Sequence, residues 1–397
     1  MTIGITGPID LNILDCDFGN AKLPETNAFP LPSHLANALL RRGHKLVLYT
    51  NSGSIAAPVV LKSENVTACI GTTKPQAGRR FFQHEIKELA GLMRAHPADV
   101  VYAFWSYEYA WAALKSGLPA IVSVHDIAGK IFRTQTDMFR FVRLMMNYIV
   151  LKKADHLVAN SVYTYKQLSG KQKSKTQVID NFFAPDIEQS VVRPAEKENY
   201  IISVVNGFTK RKGIYQGLHA FARIRARFPT LEYHLIGIEM EENGAAHNYA
   251  RAHQLEQGVR FLGHLTHDKL LQRVANARLL LHPSVEESFG MSLLESMVVG
   301  TPVVAGKDSG FVPYLLDHGK AGLLCDVHSP EDIAAKALQL LSDKTLADAT
   351  ATYAYRFAQD NFSEEAIVRK HVALYEAVAF HNKTRNVKSE ALQAGPV

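Results

Sequence analysis

Cysteine is scarce: only Cys16, Cys69 and Cys325 occur in 397 residues, far apart and never as a Cys-x-x-Cys pair. An odd, scattered set supplies neither a disulfide framework nor a zinc knuckle, and a reducing cytoplasm is the compartment it implies. Long apolar runs are missing too, since no stretch approaches the roughly 18 to 20 residues of a spanning helix. The start, MTIGITGPIDLN, has no basic segment ahead of an apolar one. The expectation is a chain with neither a membrane span nor a signal peptide. Low-complexity tracts and internal repeats are also absent, which removes solenoid classes. No cluster with metal-ligand spacing is found, and no metal or other cofactor is expected.

What remains is ordinary globular composition, 47% hydrophobic and 21% charged, in a chain long enough for two domains. The charge is uneven. The net of +6 lies entirely in residues 1–190, and it is densest from Lys130 to Lys175, where ten basic residues face only Asp137 and Asp155. The run FRFVRLMMNYIVLKK interleaves these charges with apolar and aromatic residues. Three readings stay open here: a solvated basic helix with one buried face, peripheral contact with an anionic membrane, and nucleic acid. The last lacks any recognition module or base-stacking signature, and no nucleic-acid partner is expected.

Short β-branched runs alternate with amphipathic segments of helical length, the pattern of parallel βαβ units. In the first half HKLVLYT (44–50), DVVYAF (99–104), PAIVSVHD (119–126), HLVANS (156–161) and TQVIDN (176–181) read as strands. Ligands of open α/β sheets sit beyond the carboxyl ends of strands, so His125, Asp126, Asn160, Ser161 and Asn181 are expected to border a cleft. Residues 184–199 carry two prolines and no periodicity and read as a linker. A second wound domain follows, with strands at 200–207, 232–237, 259–263, 278–284, 301–306 and 322–326, and a helical stretch then runs to about His381. The reading is therefore an N-terminal Rossmann-like domain over 1–185 and a second over 198–356. A helix at 357–381 is expected to return to the first domain, and 382–397 to form a flexible tail.

The most informative stretch is HPSVEESFGMSLLESMVVGTPVVAG, residues 282–306. A strand ends, a polar loop follows, and a helix begins. That arrangement offers free amides and the positive end of a helix dipole to a phosphate. Glu287 lies in the loop and Glu295 about one turn inside the helix. Were the span helical throughout they would be about 12 Å apart, so one ligand can meet both at different ends. Carboxylates accept from vicinal hydroxyls, and a pair bracketing a phosphate site suits a sugar nucleotide. A second loop and helix start, VVNGFTKRKGIYQGLHAF (204–221), places Lys210, Arg211 and Lys212 where they can neutralise a diphosphate.

The run Glu287-Ser288-Phe289-Gly290-Met291-Ser292-Leu293-Leu294-Glu295, followed by Gly-Thr-Pro, resembles the E-x7-E signature of glycosyltransferase family 4, and DVVYAFWSYEYAWAALKSGLPAIVSVHD, HLVANSVYTY and FSEEAIVRKHVALYEAV resemble its members too. The resemblance implies the GT-B fold, two Rossmann-like doubly wound parallel-sheet domains facing a central cleft. It implies retaining, metal-independent transfer of a sugar from a nucleotide diphosphate to a glycan or lipid-linked acceptor, as in surface polysaccharide or lipopolysaccharide assembly. It assigns His125 and Glu287 to the transferred sugar as catalytic residues. To the donor it assigns Gly207, Arg211, Lys212, Ser288, Phe289, Gly290, Met291, Ser292 and Glu295, with Glu295 on the ribose.

Two departures from the family pattern stand out. Gly207 occupies the position of a common arginine, and the Gly-Gly pair expected before the first helix is replaced by the proline-rich KLPETNAFPLPSHLANALLRRGH, with Gly19 further upstream as a substitute. Trp105, Tyr107 and Glu108 are candidates for an acceptor groove. A non-catalytic nucleotide-sugar-binding relative and another enzyme of the same fold, such as a phosphorylase, are the alternatives.

Overall fold

A computed structural model describes the backbone of residues 1–393 and the side chains of residues 1–382 and Thr384. The chain divides into two compact units, Met1–Asp180 with the chain from Ile367 onward, and Asn181–Ala366.

The first unit is built on an eight-stranded sheet. Its strands are β1 (Thr2–Thr6), β2 (Lys45–Ser52), β3 (Val59–Lys62), β4 (Val66–Thr72), β5 (Val100–Phe104), β6 (Ala120–Val124), β7 (His156–Ala159) and β8 (Thr176–Val178). They lie in the order β3-β4-β2-β1-β5-β6-β7-β8, parallel except for β3, which pairs antiparallel with β4 at the edge. The central strands β1, β5 and β6 are almost fully buried and rich in Ile and Val, as expected of a sheet covered on both faces. β1, β3 and β4 were not anticipated from the sequence.

Helices Pro30–Arg41, Gln83–Ala95, Glu108–Ser116 and Met138–Lys153 cover the sheet. The last buries Val142, Met146 and Val150 against it, at the i, i+4, i+8 spacing of one helix face. The long C-terminal stretch is not one helix. It breaks at Ser363 (φ −65°, ψ 151°) into Lys344–Phe362, which belongs to the second unit, and Glu364–Gln393. From Ile367 this last helix packs on the first unit, where Tyr375 and His371 meet Tyr102 at ring distances of 5.4 and 5.0 Å. The expected tail at 382–397 falls partly outside the described residues; up to Gln393 the backbone is helical.

The second unit has a six-stranded, wholly parallel sheet of β9 (Tyr200–Val204), β10 (Glu232–Ile236), β11 (Val259–Gly263), β12 (Leu279–His282), β13 (Val303–Gly306) and β14 (Leu323–Cys325). The order is β11-β10-β9-β12-β13-β14. β9, β10, β12, β13 and β14 are shorter than the runs read from sequence, whereas β11 matches its run. The short helix Asp186–Ser190 occupies part of the stretch read as a linker. β9 and β12 are adjacent although far apart in sequence, so the strand order reverses between them. Their carboxyl ends therefore deliver the loops at 205–213 and 283–290 side by side, the switch-point geometry that favours ligand binding.

Candidate functional site

The two loops of the second unit are fastened to each other by backbone. Gly213 ends the turn Lys210–Lys212 with φ +66°, and a Cβ there would lie 2.0 Å from the Pro283 carbonyl oxygen, so only glycine allows the approach. Val285 N–H then donates to the Arg211 carbonyl at 2.8 Å. This clamp brings Lys212 to Glu287, Nζ to Oε1 2.6 Å, with side chains only 14% and 13% exposed. His282, at the end of β12, reaches the same oxygen at 3.3 Å. Burial pushes the Glu287 carboxyl up. The Lys212 charge and the hydrogen bonds from His282 and Lys212 outweigh it, leaving the group well below the usual carboxylate range. Lys212, expected to face a diphosphate, thus shares its charge with a carboxylate.

Gly290, at φ +103°, caps the helix Met291–Val298 and has no side chain of its own to bond the first-turn amides. Glycine at that position leaves the helix start open to an anion. The Phe289 ring is buried, stacked on Phe311 at 5.1 Å and edge-on to Phe362 at 5.7 Å, so only its backbone can serve a ligand. The loop is held by Phe311 N–H donating to the Glu287 carbonyl at 3.0 Å. Met291 Sδ accepts from the Asn181 amide at 3.7 Å. Ser288 and Ser292 flank the cap in sequence. Glu295, on the helix itself, pairs with His267 at 3.0 Å. That hydrogen bond raises the His267 pKa, against the opposing effect of burial.

Arg211 contributes its backbone to the clamp, and Lys210 is exposed. Gly207 also has positive φ (+91°), and the Phe208 N–H beside it donates to Glu239 at 2.5 Å. A carboxylate therefore stands near the position where the family pattern has arginine. Two buried polar atoms of the same strand end, His282 Nδ1 and Ser284 Oγ, have no hydrogen-bond partner. Unsatisfied buried polar atoms are costly and uncommon, so both are candidates for contact with a ligand.

In the first unit His125 follows β6. Its Nε2 meets Ser123 Oγ at 2.7 Å, its ring stacks on Phe104 at 5.2 Å, and burial pushes its pKa down to about 3. The ring is neutral at physiological pH, with Nδ1 the nitrogen left for another partner. Asn160 and Ser161 do not border a cleft. Both are buried, Ser161 capping the helix Val162–Gln167 while Thr164 donates to Asn160 at 2.8 Å.

Trp105 and Tyr107 do line a cavity of about 280 Å³, with Asp126, Phe139, Arg140 and Arg143. Glu108 lies behind it, buried and paired with Arg143 at 3.2 Å, so it is not a groove residue. Trp105 has φ +64°, a strained conformation for a bulky side chain. Gly19 sits in an exposed loop with φ +66° and nothing within 4 Å of a Cβ added to it. Asp15-Cys16-Asp17 has Asp-x-Asp spacing, but Asp15 pairs with Arg41 at 2.6 Å and Asp17 accepts from Gly19 N–H at 2.7 Å. His267, Ser123 and Glu239 were missed in the sequence. The partners of His267 and Glu239 are remote in sequence, and Ser123, two residues before His125, reads locally as an ordinary strand residue.

Two families match in tandem: Glycosyltransferase Family 4 over residues 33–187 and Glycosyl transferases group 1 over 186–357. The N-acetyl-alpha-D-glucosaminyl L-malate synthase of Bacillus anthracis is 31% identical over 193 residues, covering 49% of each chain. The chain spans about half the length of that curated relative. Among solved structures, a sucrose-phosphate synthase from Thermosynechococcus elongatus superposes with a TM-score of 0.74 at 18% identity, over 95% of this chain and 98% of the other. Anabaena HepE in complex with UDP-glucose superposes with a TM-score of 0.69 at 19% identity, over 95% and 100%. At these identities the likeness establishes the fold.

Proposed function

Because the chain belongs to the group 1 and family 4 glycosyltransferases, we propose that it transfers a sugar from a nucleotide-diphosphate donor to a glycan or lipid-linked acceptor with retention of anomeric configuration. The observation that carries this reading is the buried Lys212–Glu287–His282 network beside the glycine-capped start of the helix Met291–Val298. In it, the amides of Gly290 to Ser292 meet the diphosphate at the positive end of the helix dipole. Glu295 accepts from the ribose hydroxyls, and Glu287, held ionised, accepts from hydroxyls of the sugar. Arg211 and the part of the Lys212 charge not taken by Glu287 favour the diphosphate as its charge grows.

The bond from the anomeric carbon to the diphosphate oxygen breaks, and the acceptor oxygen attacks the same face of that carbon. The acceptor proton passes to the leaving diphosphate. No enzyme nucleophile takes part, and no metal is assigned. In the first unit His125 offers Nδ1 to the sugar, while Trp105, Tyr107 and Asp126 wall the cavity proposed for the acceptor. Such chemistry serves surface polysaccharide or lipopolysaccharide assembly, at the inner face of an anionic membrane. Among the described residues no helix is long and apolar enough to cross one.

The test is thermal stabilisation by UDP, GDP, ADP, CMP and dTDP, each with magnesium and with chelator, because a ligand that binds only the folded state raises its melting temperature. One nucleoside diphosphate is expected to stabilise the protein under both conditions, and its sugar conjugate to turn over with the anomeric configuration kept. Binding without turnover of any conjugate would point to a non-catalytic relative. No stabilisation by any of the five would point to a phosphorylase-like enzyme.

A further inference from the structure

We propose that the outer face of the helix Met138–Lys153 docks on an anionic lipid bilayer, which gives the membrane contact of the preceding reading a definite surface.

The helix has two apolar faces where a packed surface helix needs one. Val142, Met146 and Val150 face the core of the first unit. On another side Met138, Phe141, Met145 and Tyr148 are 70%, 43%, 38% and 60% exposed. Their spacing of three, four and three residues puts them on one stripe about 80° wide at 100° per residue, and Lys152 continues it. Phe132 meets the Phe141 ring at 6.1 Å, and among the described residues the stripe is otherwise left exposed. Past the helix start, on the side away from the stripe, Phe139 packs edge-on to Phe82 at 6.3 Å, and next to Phe82 the Phe81 ring is again exposed.

Charge decides what the surface is for. Exposed Arg79 and Arg80 stand on the turn that ends at Phe81, Arg133 on the helix Ala128–Thr134 that packs alongside, and Lys152 and Lys153 at the far end. The acidic residue on this helix start, Asp137, caps it and is held by Arg140. A stripe of Met and aromatic side chains bordered by cations matches an interface of acyl chains and anionic headgroups. A second copy of this chain would set like charges against each other. Nucleic acid would use the cations and leave the methionines exposed to water.

The test is co-sedimentation of the full chain with vesicles of phosphatidylcholine alone, and of phosphatidylcholine and phosphatidylglycerol in equal parts, read without sugar or nucleotide. The protein is expected to pellet with the anionic vesicles and to stay in solution with the neutral ones. The variant Met138→Ser/Phe141→Ser/Tyr148→Ser is expected to lose about tenfold or more in apparent affinity, and Lys152→Glu/Lys153→Glu to lose a similar factor that shrinks in high salt. All five side chains are exposed, and unchanged circular dichroism and nucleotide stabilisation establish that each variant is folded. Failure of the wild type to pellet with anionic vesicles overturns the proposal, as does equal binding by the serine variant. A dimer in light scattering that the serine variant disperses would instead give the face to a second copy. The readout is separate from transfer: sugar transfer with no vesicle binding would leave the glycosyltransferase reading standing, and vesicle binding in a protein that transfers nothing would sink only that reading.

Discussion

Glu287 is the residue on which both stability and function are expected to turn. Its partner Lys212 lies at 2.6 Å, and both are mostly out of solvent, so removing one leaves the other as a buried, uncompensated charge. Lys212→Met or Glu287→Gln alone is expected to cost about 3 kcal/mol, and the double variant clearly less than the sum. Chemical denaturation of the four proteins gives the coupling directly; additive losses would mean that the pair acts independently. The depressed Glu287 pKa stabilises the fold fully above about pH 4.5, and that stability is withdrawn as pH falls toward the folded value. His267 runs the other way. Glu295 raises its pKa in the folded state, so its contribution is complete below about pH 6.5 and disappears as pH rises through the raised value. The melting-temperature advantage of wild type over His267→Ala should therefore be larger near pH 5.5 than near pH 8.5. Equal differences at both would place the proton elsewhere. Glu295→Ala is expected to weaken nucleoside diphosphate binding by about tenfold or more, the loss of one charge-assisted hydrogen bond or two, and unchanged binding in titration calorimetry would remove it from the ribose.

At the scale of elements, the site depends on how closely the ends of β9 and β12 come together, and Gly213 sets that distance. Gly213→Ala would put a Cβ 2.0 Å from the Pro283 oxygen at φ +66°. Gly207→Ala has the same handedness problem at φ +91°, with its nearest neighbour 3.8 Å away. The first is expected to lower the melting temperature and abolish nucleotide stabilisation, and the second to cost about 1–2 kcal/mol with binding kept. Similar behaviour of the two would show that contact between the loops does not organise the site. The helix Met291–Val298, its glycine cap and the strand before it were legible in sequence because apolar periodicity, a glycine stop and a polar loop occur within 25 residues. β1 and β4 were not. Each contains a glycine, and each owes its strand conformation to neighbours on both sides, β2 and β5 for β1, β2 and β3 for β4. The same limit hid His267, which meets Glu295 only once the chain has folded, whereas Ser123, two residues before His125, read as an ordinary strand residue.

For the whole molecule the open physical question is what neutralises a diphosphate. Sequence reading put that burden on Lys212 with the helix dipole, and on Lys210 or Arg211 as a second charge, yet Lys212 is paired with Glu287 and another carboxylate, Glu239, stands beside Gly207. The helix start at Gly290 and the cations at Lys210 and Arg211 are left to share the load with it. A partial charge of about half a unit from the helix, strengthened where water is excluded, is a substantial share. Transfer from the matching sugar nucleotide is therefore expected to proceed after dialysis against chelator at a rate within about twofold of that with magnesium, and Lys212→Met to lower kcat by about 100-fold, the range seen for lost transition-state donors. A collapse of the rate on chelation that magnesium restores would move the burden to a cation. Asp15 and Asp17, now tied to Arg41 and to the Gly19 amide, would then be the first carboxylates to substitute. If magnesium has no effect and Lys212→Met retains full kcat, the leaving group is stabilised by the helix start together with Lys210 and Arg211, and the lysine serves only to keep Glu287 ionised and in place.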